Sequence, residues 1–445
     1  MSQQNNPGDD ESPEEFLKKI FESAGFGVSG GSFSEILDQI AKSFEQAASS
    51  TPDDVEDVNW NAMKMAINRV VSQSGPDPSV DYQTQRALGE ADRLAQQWLD
   101  EVTAMTPPAN PAKAMSRSDW VESTMPAWRK IVSPIVTALA DAMGKMLGSG
   151  NEFGDDQLTQ LNKLMAPLLR NAAASMYAMQ LSQAIGNLAT STLSGSEIGL
   201  QLLEKPQVAL IPTNIGEFSE GLENSPEDIL IYLTVREAAR QRLFSSVGWL
   251  GPQLLTMLEH YAREIQIDSS ALTQEFDPQD LETMNPEKLA EIGEKMQGRL
   301  FSPTKTPEQE EILGRLETLL ALIEGWLDEI TSRATTPWMQ ETANQLSETI
   351  KRRRVTNDPS SEAFSNLVGM EISPRRIRDA ANLWAALTEK RGAEKRDQTW
   401  SHPDLIPTAE DLDDPIGYAN GEHSSSTDDE LDEALRKILD DSENN

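Results

Sequence analysis

The chain has 445 residues, a formal charge of −35 and no cysteine, with a sequence pI near 4.4. The missing cysteines exclude thiol nucleophiles, thiolate metal sites and disulfides. The acidic balance argues against a nucleic-acid or anionic-membrane surface, because phosphate binding needs concentrated Lys and Arg. The length suggests two or three domains, and a 38% hydrophobic share is enough to give them real cores.

Residues 1–34 are polar, acidic and rich in Gly and Ser, with one short amphipathic piece at Glu14–Phe21, which predicts a flexible segment. This start lacks the basic head and apolar core of a secretion signal, and no apolar run reaches the roughly 18–20 residues that span a bilayer. The expectation is a cytoplasmic protein. The G-x-S-x-G match at Gly27–Gly31 has no strand before it, so it lacks the strand-turn-helix context of a nucleophile elbow. Apolar residues returning at three- and four-residue steps then predict helices near Ser34–Ala48, Trp60–Gln73, Tyr82–Val102, Ser118–Leu147 and Gln157–Leu193. They form an expected helical N-terminal domain over residues 35–197. The Met-rich parts Met143–Met146 and Met165–Met179 read as adaptable core packing. Gly195, Pro206 and Pro212 bracket the clearest strand candidate, Gln207–Ile211.

A further helix starts at Ser225-Pro226-Glu227-Asp228, which supplies an N-cap, a proline at the first helical position and two acids in the first turn. Ile229, Leu230, Leu233, Ala238 and Leu243 give it a run apolar enough for burial. Within it, Arg236-Glu237-Ala238-Ala239-Arg240 has the frame of the zinc-protease motif H-E-x-x-H, with arginine at both histidine positions. Residues four apart share a helical face, so two imidazoles there ligate zinc while the intervening Glu activates its water. A guanidinium stays protonated and has no free lone pair, so it does neither. His260, His402 and His423 do not sit at a ligand spacing on one helix.

Downstream, helices are expected near Gly251–Ile265, Pro286–Gly298, Pro307–Ser332, Trp338–Arg353 and Ile377–Arg391. Glu324 and Asp328 place two carboxylates on one face of the third of these. The basic run Lys351–Arg354, with Arg375, Arg376 and Arg378, reads as a solvated helix end balanced by nearby acids, or as a site for phosphate or an acidic segment of this chain. From Ser401 onward Pro, Asp and Glu accumulate, which predicts a largely disordered tail over residues 401–445. Asp429–Asp440 keeps a short amphipathic pattern through Leu431, Leu435, Ile438 and Leu439.

Several stretches, taken in order, resemble a bacterial zincin-like family of zinc-dependent metallopeptidases or hydrolases. They are Gln207–Pro212 (QVALIP), Ile231–Phe244 (IYLTVREAARQRLF), Trp249-Leu250, Glu324–Asp328 (EGWLD), Leu367–Leu387 (LVGMEISPRRIRDAANLWAAL) and His402–Pro415 (HPDLIPTAEDLDDP). The resemblance covers about residues 50–416 and implies a mainly α-helical α+β fold with a small β element and a zincin-like core over residues 198–400. It also implies His at positions 236 and 240 in metal-binding members, Glu324 as third zinc ligand, Asp328 as the group orienting a ligand histidine, and Glu237 as general base. Val208, Ala209, Leu210 and Ile211 would wall a groove that takes peptide as an added strand. Two placements of the charges stay open: solvent-facing, or buried with Arg240 on Glu324 and Arg236 on Asp328. The expected function is a non-catalytic, peptide- or protein-binding homologue that needs no cofactor and binds neither nucleic acid nor membrane. The alternatives are an active zinc hydrolase with other ligands, and a structural or scaffold protein whose groove is filled by side chains.

Overall fold

Local sequence signals set the helix starts. In the computed structural model, which describes residues 58–148, 177–264, 306–356, 358–368 and 373–421 (for 139–148, the backbone), Asn59 accepts from the Ala62 amide at 3.0 Å and opens α1 (Trp60–Gln73). Asp81 accepts from Thr84 at 2.7 Å and opens α2 (Tyr82–Asp100), whose Leu88, Ala91, Ala95, Trp98 and Leu99 form one buried stripe. The strand β1 (Lys113–Ala114) leads into α3 (Arg117–Gly148), and α4 covers residues 177–191. The Gly27–Gly31 frame, the pieces Glu14–Phe21, Ser34–Ala48, Pro286–Gly298 and Asp429–Asp440, the first part of Gln157–Leu193 and His423 lie outside the described residues.

The strand β2 (Ala209–Leu210) pairs in parallel with β1, Lys113 opposite Ala209 and Ala114 opposite Leu210. Its other edge is taken as well: Gly195 donates to the Ala209 carbonyl at 2.9 Å and Ile211 donates to Leu193 at 3.0 Å. This corrects the expected groove wall. Val208, Ala209, Leu210 and Ile211 are all buried, and both edges are already hydrogen-bonded to the chain itself, so none remains for an incoming peptide.

After α5 (Pro212–Ser219) comes α6 (Pro226–Ser246), in which every residue from Tyr232 to Phe244 is buried. A helix enclosed on all sides leaves its charges no water, so each needs an internal partner. Next come α7 (Leu250–Arg263) and α8 (Pro307–Thr356), then α9 (Pro359–Val368) and α10 (Pro374–Gln398). In α8 Pro337 precedes Met339, whose φ of −147° and ψ of 48° are not helical, and this break folds the second arm back on the first. Beside it Trp338 stacks on Trp98 of α2, centroids 5.7 Å apart. The first arm packs against α6, α7 and α10. At Gly325 a Cβ would sit 2.6 Å from the Ala381 nitrogen, so only glycine allows α10 this close.

The chain does not leave the body at Ser401. Trp400 is buried against Trp384 and Trp249, centroids 5.3 and 6.4 Å away. Two 3₁₀ turns follow, then α11 (Ala409–Asp413) and α12 (Pro415–Asn420). The acids and prolines of this stretch are cap and first-turn residues rather than signs of disorder: Thr408 and Asp411 form a capping box, and Asp414 caps Gly417. All described residues fall in one compact unit. The β1–β2 pair and the α2–α6 packing cross position 197–198, so the described part has no break there. Among the described residues no helix is long and apolar enough to cross a membrane.

Candidate functional site

The Ser225 hydroxyl accepts from the Asp228 amide at 3.1 Å and fixes the start of α6, from which Arg236, Glu237, Arg240 and Gln241 project one helical turn apart. They meet Glu324 and Asp328 on the first arm of α8. Arg236 donates to Asp328 Oδ1 at 2.7 Å and to Glu324 Oε2 at 2.6 Å. Arg240 donates to Glu324 Oε1 and to Glu237 Oε2, each at 2.8 Å. Glu237 also accepts from Ser194 at 2.7 Å and from Gln241 at 2.7 Å. The charges are therefore buried rather than solvent-facing: Arg240 is 2% exposed and Glu237 1%.

Arg354 completes the net. It donates to both Asp328 oxygens, at 2.6 and 2.8 Å, and to Glu324 Oε2 at 3.1 Å. From the sequence the basic run reads as a solvated helix end or as a site for phosphate or an acidic segment of the chain, because the break between the two predicted helices does not say where the second one goes. The reversal at Met339 brings Arg354 home. Ser194 and Gln241 were missed for a plainer reason: a lone Ser in a loop and a Gln beside the motif carry no pattern.

The electrostatics follow from burial and pairing. Burial pushes Glu324 up, but Arg240, Arg236 and Arg354 together outweigh it and hold the carboxyl at about 2. Asp328 is likewise raised by burial and then driven well below its ordinary value by Arg354 and Arg236. Burial lifts Glu237 above its usual range against the opposing pull of Arg240, Ser194 and Gln241. Burial alone would weaken the Arg240 cation, yet Glu324 and Glu237 raise it further. Glu237 thus spends three of its roughly four acceptor positions on Ser194, Arg240 and Gln241, Oε2 taking two donors and Oε1 one.

These residues do not suit zinc. Two positions hold cations without a lone pair, both oxygens of Glu324 are engaged by guanidinium groups, and each arginine adds a charge that repels a divalent ion. Among the described residues no cluster of three or more His, Cys, Asp or Glu is arranged to hold a metal. His402 is exposed, beside Asp404, and His260 is exposed on α7. The spaces beside the net, about 30 and 20 Å³, admit a water or so each and no peptide.

Asp358, next to the net, caps α9 through the Ser361 amide at 3.2 Å. Burial, reinforced by Glu324, pushes its carboxyl up to about 6. Between pH 4 and 6 the folded chain thus holds a proton that the unfolded chain has lost, so this group's contribution falls as pH rises through that window. Asp358→Asn should melt increasingly above the parent as pH goes from 4 to 7. The difference isolates Asp358, since Glu237 titrates in both proteins, and a pH-independent difference would refute the assignment.

Among solved structures the chain is similar to one from Chloroflexus aurantiacus described as a candidate hydrolase with a novel fold. The TM-score is 0.56 at 15% identity, covering 82% of this chain and 99% of that one, a likeness of fold alone. No curated protein matches. The sequence pattern of the zincin-like metallopeptidases matches residues 58–419, which include α6, both arms of α8 and the whole ion-pair net. The chain belongs to the zincin-like metallopeptidase family.

Proposed function

We propose that this protein is a non-catalytic member of its family, in which the peptidase centre has become a structural core and the molecule works as a scaffold for protein partners. One observation carries the reading: Arg236 and Arg240, at the two histidine positions of the motif frame, are buried and tied to Glu324, Asp328 and Glu237. Hydrolysis at this centre would need a polarising metal and a carboxylate free to take a proton from water. The arginines have no lone pair for a metal, and Glu237 is already engaged by Arg240, Ser194 and Gln241, which supports the non-catalytic reading. The filled edges of Val208–Ile211 and the small space beside the net favour the scaffold form over binding of peptide as an added strand. Partners therefore belong on the outer surface.

The test is metal content together with hydrolysis. Protein purified without a metal-affinity tag should contain far less than one zinc per chain, and any trace peptide hydrolysis should be unchanged in Glu237→Gln. Near-stoichiometric zinc, or cleavage abolished by that substitution, would overturn the proposal.

A further inference from the structure

On this strongly acidic protein one cleft runs against the charge. It measures about 650 Å³ and lies between the two arms of α8 and the first half of α10. Lys351, Arg352, Arg375 and Arg378 line it, with Arg354 as a fifth cation. Its three acids are already occupied: Asp328 by Arg354, Glu329 by Arg333 and Glu348 by Lys351. Arg352 and Arg378 have no carboxylate partner among the described residues. Arg375 reaches Asp379 only at 3.6 Å, with its side chain 78% exposed. Pro374 brings the start of α10 to the same rim, and Ser373 gives that helix no side-chain cap, so the positive end of its dipole adds to the field. Val355, 71% exposed, contributes an apolar patch between the cations.

The chain itself carries a segment of matching chemistry. Residues 422–445 hold nine Asp and Glu against Arg436 and Lys437, and Leu431, Leu435, Ile438 and Leu439 repeat at helical spacing. The described chain ends at Gly421, just past α12, which Arg391 of α10 holds through the Tyr418 and Ala419 carbonyls at 2.9 Å. Ala385, at the edge of the cleft, is six positions before Arg391, about 9 Å of helix rise. The 24 residues from 422 reach up to about 80 Å when extended, so the span is easily covered. A segment tethered this close acts at an effective concentration on the order of millimolar, which lets modest charge pairing and a few apolar contacts suffice.

We propose that the acidic C-terminal segment of this same chain docks in the basic cleft and covers Arg352, Arg378 and Val355. The inference does not depend on the state of the former peptidase centre. The absence of native cysteine makes the test clean. Asn382→Cys and Ser442→Cys are introduced in the full chain, both are spin-labelled, and their separation is measured at 50 mM and 1 M NaCl and in an added Arg352→Glu/Arg378→Glu variant. The expected result is a short, narrow distance at low salt. It should broaden in high salt and in the charge-reversed chain, toward a free coil whose far label lies roughly 25 Å from Gly421. The same distribution in all three samples would overturn the proposal. So would a short distance seen only between singly labelled chains mixed together, which would make a second copy the occupant. If the charge-reversed chain fails to fold, the salt comparison still decides.

Discussion

Replacing Arg240 with alanine should lower stability at pH 7 by about 3–5 kcal/mol, the usual loss when one partner of a buried ion pair is removed. The size follows from what is stranded. Glu324 loses the donor to Oε1 and Glu237 loses its cation partner, both inside a helix pair with almost no contact to water. By contrast, Arg375→Ala removes a loose pair with an exposed side chain and should change stability by less than about 1 kcal/mol. Chemical denaturation of both variants is the measurement. A loss below about 1 kcal/mol for Arg240→Ala would mean that the net contributes no more than surface pairs do.

The pH dependence of that penalty gives a second readout with a definite sign. Glu324 sits at about 2 in the folded chain, against roughly 4.3 for an ordinary glutamate. Its contribution is therefore present above the ordinary value and is lost as pH falls through the folded one. Glu237 is shifted the other way, so without Arg240 it takes up a proton more readily. Both effects shrink the cost of Arg240→Ala as pH falls: Glu237 acts first, from above the ordinary glutamate range, and Glu324 follows below that range.

The parts of this molecule that could be read from sequence are those set by local rules. The start of α6 is fixed by Ser225 and Pro226, and the boundaries of α1 by Asn59 and periodicity, so both emerge without tertiary information. Glu324 and Asp328 could be matched to Arg236 and Arg240 because a four-residue step on one helix faces a four-residue step on another. What local pattern could not give was long-range geometry. The two-sided pairing of Val208–Ile211 depends on segments about 100 residues away and on the loop at 193–195. Arg354 joins the net only because α8 reverses at Met339. Pro337 hinted at a break there, but a break alone does not say whether the next helix bends aside or folds back. The segment after Ser401 was misread because Pro, Asp and Thr serve both as disorder-promoting residues and as helix caps, and burial of Trp400 decides between the two.

Arg354 leads to the prediction that separates a replaced centre from a merely vacant one. In Arg236→His/Arg240→His, two imidazoles join Glu324 at the spacing that zinc needs. Yet Arg354 would still donate to Glu324 Oε2 at 3.1 Å and hold both oxygens of Asp328, the carboxylate positioned to orient a ligand histidine. The double variant should therefore bind zinc about 10–100-fold more weakly than a triple variant that adds Arg354→Ala, the range expected when the groups supporting a metal ligand are disturbed. Competition against a chelating dye gives both affinities, and zinc-dependent melting shows whether the ion binds the folded chain. Equal affinities would mean that Arg354 is a bystander. A folded triple variant indifferent to zinc would mean that α6 and α8 no longer hold the spacing at all, and that the net is a new structural core rather than one built on a former metal centre.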